Sequence, residues 1–225
     1  MKESNYYSEK LNSQKLVKVY DTMIPRVKQY LDAEISFVRS QLNGNEKVLE
    51  LGAGYGRIIK ELAGYCSSII GIDISDDNVS FGKEYLKDTP NAEIITADTH
   101  SLALEEKFDT LLCLQNGLSA MKITSPELIE KLLGMVASGG KAYFSTYSAN
   151  FWEYRLMWFE EQVEKGLLGE LDPDKTKDGI ITCKDGFKAT THTPEALDAI
   201  GRMSGYRHEI LEIDSSSVFL IIHKE

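Results

Sequence analysis

The sequence predicts an α/β fold built on a doubly wound, largely parallel sheet. Three observations carry that prediction. From Lys47 onward, strand-like apolar runs alternate with helical patterns, which is how crossover helices assemble a parallel sheet. The run Val48-Leu49-Glu50-Leu51 enters Gly52-Ala53-Gly54-Tyr55-Gly56-Arg57 and leaves through the helical pattern Ile58, Ile59, Leu62 and Ala63. Such a strand, turn and helix brings bare backbone close to a ligand. Finally, 225 residues with 42% hydrophobic content are enough for one well-packed domain with modest embellishment, and few for two.

Taken in order, residues 12–42 place Leu16, Val19, Tyr20, Met23, Ile24, Val27, Leu31, Ile35, Val38 and Leu42 at three-to-four spacing. This is an amphipathic helical region that Pro25 divides in two and Asn43-Gly44-Asn45 ends. Strands are expected at 47–51, 68–73, 93–96, 109–114 and 141–147, with helices at 57–64, 76–87 and 126–137 between them. Ser125-Pro126-Glu127 supplies an N-cap, a first-turn proline and a first-turn acid, and Ser138-Gly139-Gly140 a stop.

Beyond Tyr147 the simple alternation ends. Residues 150–165 read as a helix whose Phe151, Trp152, Tyr154, Trp158 and Phe159 cover more than one face. Leu171-Asp172-Pro173-Asp174 breaks it. Lys184-Asp185-Gly186 is a turn signal between the β-prone runs 180–183 and 187–191, so a small hairpin standing off the sheet is expected. Thr193-Pro194-Glu195 opens a helix ending near Gly205, and 206–213 and 217–223 read as a closing antiparallel pair.

The glycine loop suits a nucleotide-like cofactor, and its spacing separates the candidates. A dinucleotide fingerprint needs G-x-G-x-x-G/A, but Arg57 stands where the third small residue belongs and Gly56 comes one position early. What stands here is Glu50-x-Gly52-x-Gly54-x-Gly56. That pattern resembles the first motif of the Rossmann-like (class I) S-adenosylmethionine-dependent methyltransferases. Further landmarks follow in order: Gly71-Ile72-Asp73-Ile74-Ser75, Ala97-Asp98-Thr99, Phe108-Asp109-Thr110-Leu111-Leu112-Cys113 and Gly139-Gly140. The resemblance spans residues 45–148. It implies a seven-stranded sheet of order 3-2-1-4-5-7-6 with an antiparallel last strand, and N-terminal helices that fold over the cofactor mouth.

The expected organisation is a single methyltransferase domain over 1–225. Residues 1–42 form a helical lid, 43–148 the cofactor-binding core, 149–193 a cap insertion, and 194–225 a C-terminal helix with the antiparallel strands.

In open parallel sheets the ligand lies beyond the carboxyl ends of the strands, at the switch point, and that geometry selects the site. Gly52, Ala53, Gly54, Tyr55, Gly56 and Arg57 form the loop that approaches the cofactor, although a tight turn packed on its helix would also demand glycines. By resemblance Glu50 orients this loop. Asp73, followed by Ile74, can accept hydrogen bonds from both ribose hydroxyls. By resemblance Asp98, with Thr99, takes the adenine amino group. Gln115 and Asn116 end the fourth strand and either contact cofactor or substrate or merely close the turn. Tyr20 belongs to the lid. Tyr7, Trp152, Arg155 and Trp158 are candidates for the acceptor pocket, with helix anchoring as the alternative for the aromatic residues.

The implied reaction is in-line displacement at a methyl carbon, which needs positioning, a dry site and, for a protonated nucleophile, a base. Spacing spells out no base; Tyr147, His192 and His100 are the candidates. No paired His/Asp/Glu ligand set is readable, which disfavours a metal-dependent mechanism. The fourth-strand segment lacks (Asp/Asn)-Pro-Pro-(Tyr/Phe), so amino-methylation of DNA or protein is not expected. A net charge of −10 argues against a nucleic-acid partner. Cys66, Cys113 and Cys183 form no C-x-x-C pair, and no apolar run is long enough to span a bilayer. The expectation is a cytoplasmic monomer or homodimer that methylates a small molecule. A non-catalytic S-adenosylmethionine binder or partner subunit is the alternative.

Overall fold

The computed structural model describes residues 13–225. Two helices, α1 (Gln14–Tyr20) and α2 (Pro25–Ser40), lead into β1 (Lys47–Leu51), α3 (Arg57–Leu62) and β2 (Ser68–Asp73). Then come α4 (Asp76–Tyr85), β3 (Ala92–Thr96), β4 (Phe108–Cys113), a short α5 (Gly117–Ala120), α6 (Pro126–Gly134) and β5 (Val136–Tyr147). The chain continues through α7 (Trp152–Glu164), a hairpin of β6 (Ile180–Thr182) and β7 (Lys188–Thr190), α8 (Pro194–Met203), β8 (Arg207–Ile213) and β9 (Ser217–His223).

The main sheet has seven strands in the order β3-β2-β1-β4-β5-β9-β8. Counted without the separate hairpin, that is the expected 3-2-1-4-5-7-6. The first five strands pair in parallel, whereas β9 runs antiparallel to both β5 and β8. The reversal of order between β1 and β4 leaves a crevice at their carboxyl ends.

Strand alternation builds a layer on each face. Leu49, Leu111, Ala142 and Phe144 face α6 and α8, while Val48, Leu112, Tyr143 and Phe219 face α2, α3 and α4. Local chemistry starts the helices where the sequence indicates. Ser75, Ser125 and Thr193 each accept a backbone hydrogen bond as N-cap, and proline stands in the first turn of α2, α6 and α8.

A third cluster lies outside these layers. Val19, Val27, Tyr30 and Leu31 of the first two helices meet Trp158 and Phe159 of α7 and Ile181, Phe187 and Ala189 of the hairpin. The aromatic helix therefore binds N-terminal helices and hairpin into one annex.

Two expectations need correction. The helix expected over 126–137 ends at Gly134, and β5 begins at Val136 rather than 141. Phe108 pairs with Val136 and Thr110 with Lys141, so Ser138-Gly139-Gly140 forms a bulge within the strand rather than a stop before it. Crowding requires glycine there: a Cβ on Gly140 would sit 2.7 Å from the Asp109 carbonyl oxygen. The short helix α5 was not foreseen.

Candidate active site

A cavity of about 790 Å³ opens where β1, β2 and β4 end. Tyr20, Glu50, Gly52, Ala53, Gly54, Tyr55, Arg57, Asp73, Ile74, Asp98, Thr99, His100, Gln115 and Asn116 line it. Gly56 faces away, where a Cβ would meet Leu86 Cδ1 at 2.7 Å, and its φ of +86° turns the chain into α3.

The loop and the end of β2 are one construction. Asp73 Oδ2 accepts from the Gly54 amide at 2.9 Å, and Oδ1 accepts from the Ser75 amide at 2.9 Å and Asn78 Nδ2 at 3.0 Å. Burial raises the Asp73 carboxyl above its usual range, and these donors oppose the shift. Gly54 has φ +58°, and a Cβ there would sit 2.7 Å from Leu16 Cδ2 of α1.

Glu50 is buried, and loss of hydration pushes it up to about 8 despite the nearby Arg57 cation. Its Oε2 has no hydrogen-bond partner, and neither have Nε and Nη2 of Arg57. The Arg57 guanidinium lies 4.5 Å from the Tyr20 ring centroid. Unpaired cationic donors beside bare loop backbone suit an anionic ligand group such as a carboxylate.

After β3, Asp98 Oδ1 accepts from the His100 amide at 2.9 Å, and Thr99 Oγ1 donates to Met121 Sδ at 3.3 Å. His100 Nε2 lies 2.7 Å from the Met121 carbonyl oxygen. After β4, Gln115 and Asn116 both adopt left-handed backbone, at φ 52° and 65°. Consecutive non-glycine residues in that region are strained and persist only where neighbours hold them. Here Ser145 Oγ accepts from the Gln115 amide at 2.8 Å, and the Ser145 carbonyl accepts from the Asn116 amide at 2.9 Å. Asn116 Nδ2 donates to the Thr190 carbonyl at 2.8 Å, while its Oδ1 accepts from Thr146 Oγ1 at 2.8 Å.

The remaining candidates lie away from the cavity wall. Trp158 is buried and donates through Nε1 to the Val19 carbonyl at 3.0 Å. Trp152 packs against the annex cluster. Arg155 is buried, donates to the Gly179 carbonyl at 2.8 Å and lies 4.5 Å from the Tyr147 ring centroid. Tyr147 packs on Tyr30, their centroids 5.4 Å apart. The His192 amide donates to Thr146 Oγ1 at 3.3 Å, and burial holds its imidazole below the usual range. Tyr7 lies outside the described residues.

The wall expected from the aromatic helix comes instead from Leu16 and Tyr20 of α1 and from Gly186, Phe187, Lys188, Ala189 and Thr190 of the hairpin. Asn78, Ser119, Met121 and Lys122 also line the cavity. No sequence motif marks them; only the Asp-Gly turn hinted at the hairpin. Among the described residues no group of three or more His, Cys, Asp or Glu is placed to hold a metal ion. None of their helices is long and apolar enough to cross a membrane.

Glycine loop, β2 acid, β3 acid and polar β4 end gather at the switch point of a 3-2-1-4-5-7-6 sheet, which is the fold of the class I S-adenosylmethionine-dependent methyltransferases. Residues 48–140 match the model of the methyltransferase-domain family. Over 176 residues the chain is 26% identical to a ubiquinone biosynthesis O-methyltransferase of Hydrogenovibrio crunogenus, covering 76% of this chain and 66% of that protein. The corresponding protein of Thiobacillus denitrificans is 26% identical over 122 residues, and the match spans about half of each, 52% and 51%. Among solved structures, a magnesium protoporphyrin IX methyltransferase from Synechocystis superposes with a TM-score of 0.62 at 17% identity, over 97% of this chain and 98% of that one. A methyltransferase from Clostridium acetobutylicum superposes with a TM-score of 0.62 at 14% identity, over 93% and 97%.

Proposed function

We propose that the chain binds S-adenosylmethionine in this cavity and transfers its methyl group to a small-molecule acceptor. The observation that carries the reading is the convergence of Gly52, Ala53, Gly54 and Tyr55 of the loop with Asp73, Asp98 and Gln115 on one cavity at the switch point. Asp73 would hold the ribose hydroxyls, Asp98 and Thr99 the adenine, and Arg57 the carboxylate of the methionine part, with Glu50 beneath the loop. When bound, the sulfonium supplies an electrophilic methyl group. The chain's residues orient the acceptor toward it and exclude water.

The annex over the mouth supports an enclosed pocket rather than an open groove, and hence a small acceptor. Names of relatives point the same way, since several are O-methyltransferases of ubiquinone biosynthesis. They do not favour a non-catalytic binder. A charge of −10 opposes a nucleic-acid acceptor. We take the protein to act in the cytoplasm, as a monomer or homodimer. Calorimetric titration with S-adenosylmethionine and S-adenosylhomocysteine, followed by labelled-methyl transfer to a panel of small molecules, tests the reading. Absence of binding to either nucleoside overturns it.

A further inference from the structure

Acids line one side of the cavity and lysines the other. Among the described lining residues the acids are Glu50, Asp73 and Asp98, and all three stand where β1, β2 and β3 end, on the wall given to the nucleoside. The wall formed by the stretch from α5 to Lys122 and by hairpin residues 186–190 contributes Lys122 and Lys188 and no acid. In a chain with 35 acids against 25 lysines and arginines, such a wall runs against the overall composition. Space for a second molecule is present as well. The cavity's volume of about 790 Å³ is high in the range of roughly 300–1,000 Å³ usual for ligand sites, and the ribose and adenine residues line only one wall of it.

The two lysines flank one hydrogen-bonded seam. Ser119 Oγ and Thr190 Oγ1 lie 2.7 Å apart and join α5 to β7. Lys122 is tied to this seam from one side, its amide donating to the Ser119 carbonyl at 3.2 Å. Lys188 stands on the other side, two residues before Thr190 on the same face of β7 and hence about 7 Å along the strand. Two hydroxyls carry two protons and the bond between them uses one, so the seam keeps a proton to donate. Both lysines are exposed while lining the cavity, which places them at its rim.

Backbone conformation is a second, independent observation. Lys122 has φ +54°, a conformation that glycine or asparagine adopts with less strain. Strained residues persist where their surroundings hold them, and they gather at ligand sites. The hairpin's lysines also differ from each other. Lys184 lies outside the cavity lining and pairs with Glu170 at 2.7 Å, whereas Lys188 lines the cavity and makes no ion pair among the described residues.

A wall of donors without an acid is complementary to an anionic oxygen group, a carboxylate or a phosphate. The cofactor's own carboxylate is matched elsewhere, by Arg57 beside the glycine loop. We propose that the methyl acceptor is itself an anion, and that Lys188, Lys122 and the Ser119–Thr190 pair hold its carboxylate or phosphate at the rim while its nucleophilic end reaches inward. This rests on the methyltransferase reading. The two lysines then select the acceptor and take no part in making or breaking bonds.

The test uses the full chain saturated with S-adenosylhomocysteine and matched compounds: mercaptopropionate and its amide, hydroxybenzoate and its amide, glycerol phosphate and glycerol. In ligand-observed NMR titrations at least one anion should bind about tenfold tighter than its neutral twin, the carboxylate and phosphate arms showing which group the rim prefers. Rising ionic strength should weaken that anion alone. Lys188→Gln and Lys122→Gly should each lower its affinity about five- to tenfold, and leave the neutral twin and S-adenosylhomocysteine bound as before. For any anion that is methylated, both variants should raise KM and leave kcat nearly unchanged. Lys122→Gly also relaxes the backbone, so a variant that melts no lower than wild type yet loses anion affinity separates recognition from stability. Absence of any preference for the anions, or a preference that survives either substitution, overturns the proposal while the methyltransferase reading stands. Failure of wild type to bind S-adenosylhomocysteine overturns that reading instead.

Discussion

Asp73 Oδ2 accepts a hydrogen bond from the Gly54 amide at 2.9 Å, so the acid at the end of β2 and the middle glycine of the loop after β1 form one unit. Asp73→Ala removes this support together with the proposed acceptor for the ribose hydroxyls. Affinity for S-adenosylmethionine and S-adenosylhomocysteine should fall by about 1.5–3 kcal/mol, the range for hydrogen bonds to a charged group. Calorimetry on wild type and variant, with thermal melts to confirm folding, measures it. Equal affinities would detach Asp73 from the nucleoside.

Gly54→Val should be more severe. The residue has φ +58°, which a β-branched side chain tolerates poorly, and its Cβ would press on Leu16 Cδ2 at 2.7 Å. Leu16 can yield, being a flexible side-chain end, but the backbone angle cannot. Both cofactor affinity and melting temperature should drop, and a variant that binds with wild-type affinity would show that this loop does not carry the ligand.

Glu50 gives stability a pH dependence whose sign is determined. Its folded carboxyl titrates at about 8, above the usual 4.5, chiefly through burial. Raised in this way, it binds more protons in the folded state than in the unfolded one between those values. Its contribution is therefore fully present below the unfolded pKa and is lost as pH rises toward about 8. Glu50→Gln, which cannot ionise, should lose less melting temperature than wild type between pH 6 and pH 8. Parallel curves for the two proteins in a fluorimetric melt series would remove Glu50 from the account.

Much of this arrangement was legible in the residues. Val48-Leu49-Glu50-Leu51 and the alternate glycines specify their conformation locally, through apolar alternation and tolerance of positive φ, and Ser125-Pro126 and Thr193-Pro194 mark helix starts by capping chemistry. The annex was not legible in the same way. Trp158 and Phe159 are equally suited to a pocket wall and to a core, and only the positions of Val19 and Phe187 in space decide between them. Likewise Glu34 lies among the apolar residues of α2 and reads as an ordinary helix acid. Its burial is made tolerable by Ser145 and Ser217, which are far away in the chain. The bulge at Gly139-Gly140 escaped because a glycine pair reads as a stop until the neighbouring Asp109 carbonyl is in view.

Trp158 ties α7 to the N-terminal helices, through burial and its bond to the Val19 carbonyl. Trp158→Ala should cost about 3–5 kcal/mol of folding stability, the usual range for removing a large buried aromatic residue. Trp158→Phe should cost less, keeping most of the packing but losing the hydrogen bond. Denaturant titration of both variants gives the comparison. A midpoint unchanged in Trp158→Ala would mean that the annex does not unfold with the rest of the protein.

Asn116 latches the hairpin to the sheet. Its Nδ2 donates to the Thr190 carbonyl at 2.8 Å, and next to it Ser119 Oγ and Thr190 Oγ1 lie 2.7 Å apart. Together these bonds hold β7 against the carboxyl end of β4, which places Phe187 and Ala189 in the cavity wall. Asn116→Ala removes the Thr190 and Thr146 bonds, at about 1 kcal/mol each. It also leaves alanine at a φ of 65°, which asparagine tolerates better. Asn116→Gly keeps the backbone comfortable and loses only the side-chain bonds, so it isolates the latch. Both variants should expose the turn at Lys184 and Lys188 to trypsin faster than wild type, and Asn116→Ala should be the less stable of the two. If cleavage of the hairpin stays at the wild-type rate in both, the hairpin is held by its apolar packing on Phe159 and not by Asn116.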